Sequence, residues 1–336
     1  MSGEARVFVT RRLPAPVEDR MHELFDVSFN TSDTPLEPQE LIAASTGHQV
    51  VVSAITDQLD ADLIGRLPES VKLIAQFGAG IDNVDVEAAH ARGIVVTNTP
   101  SVLTKDTADM AMALILSVPR RLVEGAQVLP RDGSWDGWSP TWMLGRRMSG
   151  KALGIVGMGR IGTAVAHRAR AFGLNIHYYS RNRRPPQVEE PLEATYWPAL
   201  DDMLAKVDIV SLHLPHTRDS FNLMNEERLR IMKRDAFLVN VSRPELIDED
   251  ALVGLIESGH LSGAGLDVFE NRHAVSPRLI ALARNNRIVL TPHMASATLE
   301  GRVEMGEMVM VNIKVFLDGH KPPQRVLPEG LGNGGR

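Results

Sequence analysis

Lys151–Gly173 reads KALGIVGMGRIGTAVAHRARAFG, and the fold of this 336-residue chain turns on it. An apolar run, Ala152–Val156, leads directly into Gly157-x-Gly159-x-x-Gly162, and a helical period begins at once. Ile161, Val165, Ala169 and Phe172 recur at helical spacing, and Gly173 supplies the stop. Each glycine has a separate task. Gly157 permits a tight turn, Gly159 lets backbone approach a pyrophosphate, and Gly162 lets the helix pack closely on the strand. The helix N-terminus then offers unpaired N–H groups and the positive end of its dipole to phosphates. In this strand–turn–helix setting the glycines predict a dinucleotide site, with Met158, Arg160 and Ile161 carried in the same loop.

On either side, short β-branched runs alternate with helical patterns, the arrangement of parallel sheets built from βαβ units in an α/β protein. Val7–Val9, Val50–Ala54, Val71–Phe77 and Ile94–Thr97 read as strands of a first series. Ala152–Val156, Ile176–Tyr179, Ile209–Leu212, Ala236–Val241, Ala264–Val268 and Ile288–Leu290 make a second series of six, the size of one complete dinucleotide-binding sheet. A helix-like stretch from Thr107 to about Leu129 separates the two series. The irregular segment PRDGSWDGWSPTWMLGRRMSG follows it. Its three tryptophans suit either a surface loop tucked into the nearest core or an arm over a partner subunit or cleft. A last helix, about Ser296 to Leu317, sets Val303, Met308, Val311 and Val315 on related faces, with its methionines read as core.

Length predicts about two domains at roughly 150 residues each. With 43% hydrophobic and 23% charged residues, the composition excludes a disordered chain, a collagen-like repeat and a coiled coil. A net charge of −6 offers no basic field for nucleic acid or an anionic membrane. The absence of cysteine removes disulfides, thiolate zinc sites, iron–sulfur clusters and cysteine nucleophiles, and fits a reducing cytosol. The longest largely apolar stretch, Met110 to Val118, is far short of the roughly 20 residues that span a bilayer. The N-terminus, MSGEARVFVTRRLPAP, lacks the apolar core of a signal peptide and reads as the first strand of a soluble, cytoplasmic protein. The chain has no GxSxG elbow and no metal-ligand motif.

The choice of dinucleotide is read at the end of the next strand. An NAD site places Asp or Glu about 20 residues on, to bind the ribose 2′-hydroxyl. Here the strand IHYY ends in Ser180-Arg181-Asn182-Arg183-Arg184, with no acid. A carboxylate would repel a 2′-phosphate, whereas a hydroxyl beside guanidinium groups binds it through charge-assisted bonds. The expectation is NADPH in preference to NADH, with Ser180, Arg181 and Arg184 at the phosphate; the bland alternative is a solvated basic loop.

Four motifs in order, GMGRIG, LVNVSRPELIDEDAL, GAGLDVFE and TPHMASAT, resemble those of the D-2-hydroxyacid dehydrogenases, over nearly the whole chain. The Ser180–Arg184 loop and the WSPTWMLG segment are most similar to the NADPH-dependent glyoxylate/hydroxypyruvate reductase branch. The resemblance implies two doubly wound parallel-sheet domains: a discontinuous, flavodoxin-like substrate domain (1–102 and 295–336) and an inserted Rossmann cofactor domain (103–294). It further implies that Arg243 is the catalytic arginine, His293 the general acid/base and Asp267 the nicotinamide-contacting aspartate. Backbone amides near Ala79 and Gly80, in QFGAGIDN, would bind the substrate carboxylate, and Trp142 would reach the pocket of the partner subunit in a homodimer. Thr107, Pro215, Thr217, Val241, His293 and Ser296 complete the expected cofactor contacts. His213 and His216 are expected to border the cofactor without a chemical role.

The residue types suit the chemistry. Reducing a 2-oxo acid moves hydride to the carbonyl carbon and leaves negative charge on oxygen. A guanidinium can hold the carboxylate and polarise the carbonyl together, and an imidazole titrating near neutrality can deliver the proton. The sequence departs from the family in one consequential place. Five residues after the aspartate of LDVF, where the family has a glutamate bonded to the catalytic histidine, stands Arg272. A carboxylate there would raise the imidazole pKa; a cation would lower it. Pro244 replaces a glycine, His273 a proline and Ala295 a glycine. Three readings follow: a reductase of lowered turnover or acid-shifted optimum, a cofactor-binding scaffold or sensor, and an oxidoreductase whose Arg272 serves a more anionic substrate. Formate oxidation would need an asparagine that the stretch Ser101-Val102-Leu103 lacks.

Overall fold

The computed structural model describes residues 6–271 and 274–328. The chain divides into two compact units, one formed by residues 1–103 with 297–336 and the other by Thr104–Ser296.

In the first unit, β1 (Arg6–Val9), β2 (Asp26–Phe29), β3 (Val50–Ala54), β4 (Leu73–Phe77) and β5 (Val95–Thr97) pair in the order β2-β1-β3-β4-β5. All these pairings are parallel. The order places β1 and β3 side by side at the point where the winding reverses, as in flavodoxin-like sheets. Because helices cover both faces, the inner strands are largely apolar and every residue of β4 is buried, with Gln76 on β4 paired to Ser53 on β3.

In the second unit, β6 (Ala152–Val156), β7 (Asn175–Tyr179), β8 (Thr195–Trp197), β9 (Ile209–Leu212), β10 (Phe237–Asn240), β11 (Gly263–Leu266) and β12 (Ile288–Leu290) pair in the order β8-β7-β6-β9-β10-β11-β12. This is the doubly wound nucleotide-binding order with a seventh strand added at one edge. The reversal falls between β6 and β9, so the crevice opens beside the fingerprint loop. The α/β reading of two parallel sheets therefore holds.

Three strands escape the pattern. β2 (DVSF) and β8 (TYW) are short edge strands without an apolar run, and the second series has seven members rather than six. A two-residue strand, β13 (Arg325–Val326), pairs antiparallel with β5. The helix expected from Thr107 to Leu129 is two helices, Thr104–Ser117 and Leu122–Asp132. Pro119 disfavours helical backbone at the residue before it, and Arg121 takes a left-handed φ of 54°. The last helix runs Leu299–Leu317, capped by the Thr298 hydroxyl, which accepts from Gly301 N–H at 3.0 Å. Its buried face is Met305, Val309, Met310 and Ile313, whereas Val311 is 51% exposed, so the expected face is displaced. A Cβ at Gly306 would overlap Val17, which explains how closely this helix packs on Ala15–Leu24.

Candidate active site

Within the second unit, the fingerprint glycines differ in what surrounds them. Gly157 has φ +99°, and a Cβ there would come within 2.7 Å of the His213 carbonyl. A Cβ at Gly162 would overlap the Gly157 carbonyl, so this glycine brings the helix Arg160–Ala171 against β6. Gly159 is different: a Cβ there would meet nothing within 4 Å. Its side is open, as the approach of a pyrophosphate requires. The N–H groups of Arg160, Ile161 and Gly162 have no acceptor among the described residues, and they lie at the positive end of a 12-residue helix. Met158, 1% exposed, is anchored instead: its N–H donates to Ser180 Oγ at 2.8 Å, tying this loop to the end of β7.

Beyond β7 the basic loop is internally braced. Arg183 forms a bidentate pair with Glu189 (2.8 and 3.0 Å) and lies over the Tyr196 ring. The fully buried Tyr178 donates its hydroxyl hydrogen to Glu189 and accepts from Arg184 N–H at 2.8 Å. Burial and then the adjacent carboxylate push the Tyr178 hydroxyl up to about 12, so it stays a donor. Arg181 and Arg184 are exposed, and their side chains make no ion pair among the described residues. The guanidinium groups thus separate into one brace and two that remain for an anion.

The remaining expected residues follow the C-terminal ends of successive strands. Val241 and Arg243 come after β10, Asp267 after β11 and His293 after β12. The fully buried Asn240 latches the arginine turn. Its amide donates to the Arg243 carbonyl at 2.8 Å and its oxygen accepts from Ser242 N–H at 3.0 Å. Asp267, also fully buried, accepts from Thr291 Oγ1 (2.6 Å), Met294 N–H (2.9 Å) and Ala295 N–H (2.9 Å). These bonds wrap the turn around His293, whose φ is +51° and whose own N–H donates to the Asp267 carbonyl at 2.9 Å. A non-glycine residue in this conformation is held by its surroundings. Asn240 was not singled out from sequence; the signal available was a polar residue ending an apolar strand.

Of the other expected contacts, Thr107 lies buried in the helix Thr104–Ser117, and Ser296 is half-buried just beyond the His293 turn. Pro215 and Thr217 follow β9 in a turn that Ser220 stitches, donating to the Pro215 carbonyl at 2.9 Å. His213 pairs its Nε2 with Ser211 at 2.9 Å, its Nδ1 is buried without a partner among the described residues, and burial holds it down to about 3. It is neutral, in keeping with the expectation of no acid–base role. Trp142 is not brought together with Arg243 and His293. It lies half exposed in a groove of about 720 Å³ with Trp135, Arg131 and Asn286, and Asn286 precedes β12, at the end of that strand away from His293. Arg272 and His273 lie outside the described residues.

In the first unit, the QFGAGIDN stretch leaves β4 as a tightly tied loop. The Gly78 carbonyl accepts from Thr99 N–H at 2.9 Å and the Ala79 carbonyl from Asn98 Nδ2 at 2.8 Å. The N–H groups of Ala79 and Gly80 have no acceptor among the described residues. The loop thus has its carbonyls engaged and its amides open.

An open sheet in the nucleotide-binding order, with a glycine turn at its reversal and acid–base side chains at its strand ends, defines a dinucleotide-dependent α/β protein. Comparison with known proteins gives the family. The NAD-binding domain of the D-isomer specific 2-hydroxyacid dehydrogenases matches residues 112–295. A glyoxylate reductase from Korarchaeum cryptofilum is 42% identical over 325 residues, 96% of each chain. Among solved structures, a D-isomer specific 2-hydroxyacid dehydrogenase from Polaromonas superposes with TM-score 0.90 at 37% identity, over 96% of this chain and 99% of that one. An NADPH-dependent glyoxylate/hydroxypyruvate reductase from Sinorhizobium meliloti, solved with NADP and malonate, gives TM-score 0.81 at 33% identity, over 96% and 97%. The chain belongs to the D-isomer specific 2-hydroxyacid dehydrogenase family, and is an oxidoreductase with a nicotinamide-nucleotide domain. Among the described residues, no helix is long and apolar enough to cross a membrane.

Proposed function

We propose that this enzyme uses NADPH to reduce a small 2-oxo acid of the glyoxylate or hydroxypyruvate type to the 2-hydroxy acid, in the cytoplasm and as a homodimer. The observation that carries the reading is that Asn240 and Asp267 hold the turns of Arg243 and His293 at the C-terminal ends of β10 and β12, the same end of the sheet as the fingerprint loop after β6. Gly157–Gly162 would hold the pyrophosphate of the dinucleotide, whose reduced nicotinamide would supply the hydride that the substrate carbonyl carbon receives. Arg243 pairs with the carboxylate and polarises the carbonyl, and His293 delivers the proton to the developing alkoxide. In the first unit, the Ala79 and Gly80 amides, without acceptors among the described residues, are suited to a substrate carboxylate. Ser180, Arg181 and Arg184 take the 2′-phosphate, a reading supported by two exposed guanidinium groups and by the absence of an acid at the end of β7.

A panel of 2-oxo acids, assayed with NADPH and NADH between pH 5 and 9, tests this. The expected result is His293-dependent turnover of glyoxylate or hydroxypyruvate with at least tenfold higher kcat/KM for NADPH. Equal use of both cofactors would overturn the NADPH assignment. Turnover that survives His293→Ala would overturn the acid–base assignment, and no turnover would leave the scaffold reading. Arg272 standing in the family's glutamate position makes the pH profile informative. Proton delivery needs the imidazolium, so kcat falls as pH rises through the histidine pKa. Arg272→Glu is expected to move that descending limb to higher pH and raise turnover.

A further inference from the structure

In the loop proposed above to take the substrate carboxylate, the directions of the Ala79 and Gly80 amides follow from where the carbonyls go. Gly78 and Ala79 give their oxygens to Thr99 N–H and Asn98 Nδ2, at 2.9 and 2.8 Å. Gly80 points its oxygen toward Gln76 Nε2 at 3.4 Å, a longer contact. Gln76 is fully buried at the end of β4 and is saturated by design of its surroundings. Its Oε1 accepts from Ser53 Oγ at 2.6 Å, and its Nε2 donates to Asn83 Oδ1 at 2.8 Å. Asn83 continues the chain, donating to the carbonyls of Asp57 (2.7 Å) and Ala54 (3.1 Å). One line of side-chain amides therefore ties the loop after β3 to the loop after β4. Peptide planes whose oxygens are fixed inward turn their N–H groups the other way, and those N–H groups are the ones without acceptors.

We infer that Asn98 and Thr99 are positioning residues for the substrate carboxylate, Asn98 Nδ2 through the Gly80 amide and the Thr99 N–H through the Ala79 amide, neither touching the substrate. The inference rests on the reductase reading above and deepens it. It assigns substrate affinity to residues that carry no charge and sit behind the loop.

Asn98→Ala is the primary test, because the side chain is only half-buried and its loss leaves the backbone bonds of residues 98 and 99 in place. The KM for glyoxylate is expected to rise tenfold or more, with the KM for NADPH and kcat each within about threefold of wild type. Asn98→Leu, of similar size but without a donor, is expected to do the same. Should it fail to fold, Asn98→Ala still decides. Equilibrium binding of oxalate, an unreducible dicarboxylate, to the NADPH complex gives a second readout and should weaken in parallel. An unchanged glyoxylate KM and oxalate affinity in Asn98→Ala would overturn the inference while the wild-type activity upheld the reductase reading. A wild-type enzyme that neither reduces 2-oxo acids nor binds oxalate would overturn both.

Discussion

Asp267 is fully buried, and its two carboxylate oxygens are spoken for by a hydroxyl and two backbone amides. This arrangement keeps His293 in its left-handed conformation, so the aspartate governs the imidazole through backbone rather than by direct contact. Asp267→Asn removes the acceptor that Ala295 N–H uses or leaves an amide facing it, a loss on the order of 1–3 kcal/mol. Thermal unfolding should shift downward, and kcat should fall more than the KM for NADPH rises. His213 carries the pH dependence of stability at this scale. Its folded value lies below the ordinary 6.5, at about 3, so the unfolded chain binds a proton that the folded one refuses. Stability from this group is therefore intact above about pH 6.5 and is lost as pH falls toward 3, with a slope of up to about 1.4 kcal/mol per pH unit. The acid limb of a Tm-versus-pH curve should be shallower in His213→Gln than in wild type.

The glycine turn shows what an element demands of single positions. Gly162→Ala places a methyl group on the Gly157 carbonyl, and separating the helix from β6 should cost at least about 2 kcal/mol in a denaturant titration. Gly159→Ala meets no protein atom, so it should fold with an unchanged Tm and yet bind NADPH more than tenfold weaker. A Gly159→Ala protein with normal cofactor affinity would place the pyrophosphate elsewhere. In the basic loop, Arg181→Ala and Arg184→Ala should each raise the KM for NADPH while leaving that for NADH alone. The fingerprint turn and the basic loop were legible in the sequence because each depends on local order along the chain, whereas Arg243 and His293 were singled out by the resemblance of their motifs to the family's. The bracing by Tyr178 and Glu189 was not, since Glu189 is one acid among many until the strand end and the following turn bring it to Arg183. The same holds for Gln76, a polar residue whose partner Ser53 comes from another strand.

At the scale of the whole chain, each unit buries its own apolar clusters, with Val7, Leu73 and Ile313 in one and Leu153, Val239 and Leu266 in the other. The parallel sheets were readable because central strands buried on both faces leave continuous apolar runs, whereas β2, β8 and β13 sit at edges and carry no such signature. Between Leu122 and Leu144 the second unit exposes Leu122, Leu129, Trp135, Trp138, Trp142 and Leu144, an apolar surface of the kind that marks an interface. Sedimentation should give twice the chain mass, and Trp135→Ser with Trp138→Ser should shift the population toward monomer. The two residues of β13 have an outsized consequence. By running against β5 they cap the open hydrogen-bonding rim of the first sheet. Clipping the segment after Gly319 would bare the backbone of Val96 and Thr97, and the shortened protein should self-associate strand to strand on warming, well before its nucleotide unit melts.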